Sequence, residues 1–172
     1  MSSTTAPTAW SDEQASKYCS DILQKPVRAA YAPMQDSGFL AKANPDGSIT
    51  FCDRACPRWV FWHEVGHLAE TPGGLYAIVA PRMVKLDRDM RNLANAKLSS
   101  VSSARLAELG EEALQEVKAH LWAITHAVTC GEDDVANELI AAVDSFPKNK
   151  PAYVQAAAIL RVVVTDVIGG VL

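Results

Sequence analysis

Residues 63–67 read His63-Glu64-Val65-Gly66-His67, an HExxH pattern. Two side chains four apart project from the same side of a helix, about one turn from each other. That separation suits two imidazoles converging on one zinc ion. Glu64 lies between them and can take a proton from a metal-bound water. With ~100° per residue and His63 set at 0°, His67 falls near 40° and Glu70 near −20°. Phe61, Val65 and Leu68 fall on the opposite side, so the wheel predicts a metal face opposed to an apolar, buried face. Gly66 leaves room beside the metal face for another backbone or a substrate.

Working outward, Pro57 stands where a first helical residue is expected, and Pro72-Gly73-Gly74 closes the pattern, which predicts a helix over 58–71. Upstream, Ser11 caps a helix that runs to Gln24 with Asp12 and Glu13 in its first turn, and Tyr18, Ile22 and Leu23 face the core. Pro26 ends that helix, and residues 27–32 read as a short strand. Residues 39–43 and 48–52 flank Asn44-Pro45-Asp46-Gly47, a hairpin signal in which Pro fixes φ and Gly supplies positive φ. A small antiparallel sheet results, whose edge strand beside the cleft could pair with an extended peptide.

Downstream the chain reads as helical. Pro81 opens one helix. Ser102 or Ser103 caps a long one with the stripe Leu106, Leu109, Ala113, Val117, Leu121, Ile124 and Val128, ended by Gly131. Another covers 133–145, and Pro147 and Pro151 separate it from the last. The order is α+β: a small N-terminal antiparallel sheet with the HExxH helix, then a mostly helical part. Residues 1–10 read as a flexible tail and 11–172 as a single domain with a helical extension from about residue 78.

Composition bounds the function. A chain of 172 residues with 49% hydrophobic content can build one core without staples. The net charge of −4 argues against a general nucleic-acid binder. The polar start has no basic segment and no apolar run, so no secretory signal is read and a cytoplasmic location is expected. The apolar stretch 152–172 is interrupted by Gln155, Arg161 and Asp166, which favours a buried helix over a membrane span. Cys19, Cys52, Cys56 and Cys130 read as free structural thiols, because one Cys pair does not make a zinc knuckle.

A catalytic zinc needs three protein ligands and an open position. The metzincin continuation would place Gly and His after His67, where Glu70 and Gly73 stand, so that class is excluded. Glu70 is roughly 10 Å from His63 along the axis, which suits orienting His67 better than ligation. The third ligand is therefore expected on a later helix.

His63-Glu64-Val65-Gly66-His67 resembles the active-site helix of the ImmA/IrrE-type metallopeptidases. The block Asp133-Asp134-Val135-Ala136-Asn137-Glu138-Leu139-Ile140-Ala141-Ala142, followed by Pro147, resembles that family's second helix, where a Glu-x-x-Ala-Asn pattern carries the third ligand. The resemblance covers about 11–72 and 132–147, implies a zincin-like fold, and nominates Asp133 as the third ligand. Asp133 replaces the family's Glu and reaches one carbon less far, and residues 81–130 insert two helices between the blocks. Glu111, Glu112 and Glu116 are the next candidates, then His120 and His126. Asp133 and Asp134 also suit a helix N-terminus without any metal.

The expected activity is zinc-dependent hydrolysis of a peptide bond in a protein substrate, with His63 and His67 as ligands and Glu64 as general base. By analogy with the resembled family, the substrate would be a regulatory protein. Tyr76, Tyr31 and Tyr153 are candidate donors to a developing negative charge. A different class of reading is a zincin-fold binding module with a structural metal and little or no peptidase activity. Its partner or homodimer surface would be the C-terminal helix with Ala156, Ile159, Leu160, Val163, Val164 and Val167. A third is a helical interaction protein in which the motif is a coincidence, with no stoichiometric metal.

Overall fold

The computed structural model describes residues 9–33, 38–69 and 109–164. The tail 1–8, the expected helix opened by Pro81, Glu70, Tyr76, Ser102, Ser103, Leu106 and Val167 lie outside the described residues. Helix α1 spans Asp12–Leu23 and begins with a reciprocal capping box: the Ser11 hydroxyl accepts from the Gln14 amide, and the Gln14 side chain accepts from the Ser11 amide. Gln24, at φ 57°, ends it in the left-handed conformation.

Three short strands follow: β1 (Ala29–Tyr31), β2 (Ala41–Ala43) and β3 (Ile49–Phe51). The hairpin at Asn44-Pro45-Asp46-Gly47 forms as its residues dictate. Gly47 sits at φ 81° and donates to the Asn44 carbonyl, while Asp46 accepts from the Ser48 amide and hydroxyl. β2 and β3 are antiparallel, with Lys42 opposite Thr50.

The sheet is mixed rather than wholly antiparallel. β3 lies in the centre, and β1 pairs with its other side in parallel register, Ala30 opposite Thr50. β2 packs against α2, and β1 joins the free side of β3. The outward backbone groups of β1 are taken up by α1. Ser16 accepts from the Ala29 amide and donates to the Ala29 carbonyl, Ser20 accepts from the Val27 amide, and Asp12 accepts from the Tyr31 amide.

Helix α2 spans Arg58–Leu68, with Pro57 as its N-cap. The wheel predicts burial on one side only. Instead every residue from Val60 to Gly66 is buried, because α2 packs against α1 and β2 on one side and two later helices on the other. Its sheet-facing side joins an aromatic cluster in which Phe61 lies 5.0 Å from Trp10 and 5.5 Å from Phe51, ring to ring.

Helix α3 spans Glu111–Thr129. It starts later than the periodicity suggests: Gly110, in extended backbone, is its N-cap and Leu109 precedes it. Gly131, at φ 77°, turns the chain into α4 (Asp133–Ala142), which ends in a 3-10 turn over Val143–Ser145. Helix α5, Pro151–Val163, carries Pro at its first position. Its residues Ala156, Ile159, Leu160 and Val163 are buried in the same core, as is Val164 beyond it. Arg58, at the first turn of α2, bonds Asp134 and lies 3.7 Å from Glu132, tying that turn to the start of α4. Among the described residues no helix is long and apolar enough to cross a membrane.

Candidate metal centre

The α2–α3 contact builds the site. A β-carbon on Gly66 would meet the Ala119 backbone on α3, so the absence of a side chain lets the two helices approach. That brings Glu116, one turn before Ala119, beside both motif histidines. His63 Nε2 is 3.0 Å from Glu116 Oε2, His67 Nε2 is 3.5 Å from Glu116 Oε1, and the two Nε2 atoms are 3.3 Å apart. Bonds of about 2.0–2.1 Å at tetrahedral angles place neighbouring ligand atoms roughly 3.3 Å apart. The three side chains therefore lie close enough together to hold one metal ion. The trio is the one potential metal-holding group among the described residues.

Electrostatics agree with the geometry. Burial pushes the Glu116 carboxyl up, but hydrogen bonds and charge from His63 and His67 outweigh it and hold the group well below its usual range. Burial alone would lower His67, and the Glu116 carboxylate beside it raises it instead. An ionised carboxylate facing two ring nitrogens is a donor set that could hold a metal ion.

Three further residues frame the trio. Glu64 is 8% exposed, and its Oε2 accepts from the Ala43 amide of β2 at 2.7 Å. Tyr153 on α5 donates its hydroxyl hydrogen to Glu116 Oε1 at 3.0 Å. His120, fully buried, lies behind His63 with its Nδ1 3.0 Å from His63 Nδ1.

His67 and Glu116 open on a cleft of about 1020 Å³ whose walls also include Lys42, Ala43, Glu64 and Tyr153. A smaller cavity of about 160 Å³ adjoins His63 and Glu64 and is walled mainly by Phe39, Leu40, Trp59, Val60, Phe146 and Tyr153.

The structure redistributes the acidic candidates. Asp133 is exposed in the first turn of α4 and is not part of the trio; its neighbour Asp134 is held by Arg58 at the opening of α2, more than a turn short of His63. The acidic residue that the fold brings beside the two histidines is Glu116. Glu111 and Glu112 line the cleft one turn earlier on α3. His126 is turned away, with Nε2 on the Ile22 carbonyl and its ring stacked on Trp122. Tyr31 packs against Phe51 and beneath Arg54, not at the centre.

A signal for Glu116 exists in the sequence. Glu116 and His120, four apart, fall in the same buried stripe as Ala113, Val117, Leu121 and Ile124. Two polar residues on a core-facing stripe call for a partner. No protein-family model matches the chain, and neither a characterised protein nor a solved structure matches it.

Proposed function

We propose that this chain is a zinc-dependent metallopeptidase whose ion is held by His63, His67 and Glu116. The observation that carries the reading is the convergence of the two Nε2 atoms, 3.3 Å apart, on the Glu116 carboxylate, which faces His63 with Oε2 at 3.0 Å and His67 with Oε1 at 3.5 Å, with Glu64 buried one residue from His63 on the same helix. Two imidazoles and one carboxylate with an open position are the ligand set of hydrolytic zinc sites. Bound there, zinc would act as a Lewis acid and make water a nucleophile near neutral pH.

The chain's own residues supply the rest. Glu64 accepts the proton of the attacking water, and its bond from the Ala43 amide fixes the carboxylate against β2. Tyr153 steadies Glu116 through the hydroxyl hydrogen bond. The Asn44–Ser48 and Leu40–Cys52 backbone bonds place residues 40, 42 and 44 toward β3, so the backbone groups of Ala41 and Ala43 face away from it. An extended substrate segment can align along that edge, with one apolar side chain in the cavity beside Glu64.

The test joins zinc content with hydrolysis of a mixed peptide library. One zinc per chain and cleavage in the wild type are expected. His63→Ala should lose both, while Glu64→Gln should keep zinc and lose cleavage by about 10²–10⁴-fold. Zinc without cleavage in the wild type would favour a metal-bearing binding module. No zinc would leave the motif a coincidence.

A further inference from the structure

His63 has one ring nitrogen toward Glu116 and His67, and the other toward a second histidine. The Nδ1 atoms of His63 and His120 are 3.0 Å apart, and His120 Nε2 is 2.7 Å from the Leu139 carbonyl oxygen on α4. A carbonyl oxygen only accepts, so His120 Nε2 carries a hydrogen. One hydrogen lies between the two Nδ1 atoms. Were it on His120, that ring would be a cation at a fully buried position, with its two nitrogens already engaged by a carbonyl and a neutral ring. Full burial between the Leu139 carbonyl and the His63 ring disfavours such a cation. The hydrogen therefore belongs to His63 Nδ1, and His120 Nδ1 accepts it.

We propose that His120 is a positioning residue of the centre. Through the chain from the Leu139 carbonyl to His120 to His63, it holds His63 as the tautomer with hydrogen on Nδ1 and a lone pair on Nε2, aimed at the site shared with His67 and Glu116. The inference rests on the metal reading above. A ligating histidine commonly donates its other ring hydrogen to a carboxylate or a backbone carbonyl. Here the backbone carbonyl acts at one remove, with an imidazole as relay, and α4 is thereby coupled to a ligand on α2. Phe146 flanks both rings, 6.0 Å from His63 and 5.2 Å from His120, and keeps the relay dry.

The test compares zinc affinity, by competition with a chromophoric chelator, for the wild type, His120→Leu and His120→Asn. Leu fills the space without an acceptor and should weaken zinc binding about 10–100-fold. Asn offers an oxygen near the Nδ1 position and an amide toward Leu139, and should recover most of that loss. Nitrogen-resolved NMR of the zinc-loaded wild type should show His63 protonated on Nδ1 and ligating through Nε2, whether or not the variants fold. Wild-type affinity in His120→Leu, an equal loss in both variants, or zinc on His63 Nδ1 would overturn the inference alone. A wild type that takes up no zinc would overturn the metal reading and this inference with it.

Discussion

The Ala119 backbone on α3 occupies the space where a side chain on Gly66 would begin: a β-carbon there would be 2.9 Å from the Ala119 carbonyl carbon and closer still to its oxygen. Both partners are main chain or rigidly attached to it, so neither can swing aside. Gly66→Ala should cost about 1–3 kcal/mol in folding free energy and, by parting α2 from α3, weaken zinc binding as well. Thermal melts with and without zinc would check both. An unchanged melting point would mean that the two helices can slide.

Glu116→Gln keeps the shape of the third ligand and removes its charge. Zinc affinity should fall at least tenfold while the fold is kept. Asp133→Asn, at an exposed position, should bind zinc as the wild type does. Chelator competition on the two variants decides between them, and the reverse ranking would restore Asp133 as the ligand.

Tyr153→Phe removes one hydrogen bond to Glu116 Oε1. Burial pushes the phenol well above its ordinary range, so the wild-type hydroxyl stays a donor at alkaline pH. The variant should bind zinc about tenfold more weakly, with little change in melting temperature for the zinc-free chain. A zinc affinity equal to wild type would remove Tyr153 from the support of the centre.

Without metal, stability should peak near pH 6.5. His120 is lowered from 6.5 to about 3, so below 6.5 the unfolded chain binds a proton that the folded chain refuses, and stability falls down to about 3. Glu116, held low, adds a loss as pH drops below its ordinary 4.5. His67, held high, contributes fully below 6.5 and loses that contribution as pH rises through its folded value. Zinc binding requires deprotonated rings, so added zinc should stabilise more as pH rises and move the optimum upward. Urea midpoints from pH 4 to 9, with chelator and with zinc, test this. A flat chelated profile between 6.5 and 4 would count against the buried neutral His120.

The features legible in the sequence are those set by near neighbours. The Ser11 cap, the Asn44–Gly47 turn, the HExxH helix and the Pro151 start each depend on a few adjacent residues, and each appears where the residues place it. The parallel pairing of β1 with β3 depends on how α1 closes the outer side of β1, which no local pattern encodes. The burial of α2 from Val60 to Gly66 is hidden because His63 and Glu64 read as a solvent face; they are buried with partners from α3 and β2 instead. Glu116 stands 53 residues from His63, and a local pattern ranks Asp133 above it. The pair Glu116 and His120 within an apolar stripe is the available clue.

The closed outer side of β1 has a bearing on self-association. An exposed strand edge is a template on which another chain can nucleate. With the Ala29 and Tyr31 amides taken by Ser16 and Asp12, the remaining edge of the described sheet is β2, beside the candidate centre, where Glu64 holds the Ala43 amide. Strand-by-strand aggregation of this protein should therefore begin at the cleft. A peptide lodged there would act as a solubiliser as well as a ligand.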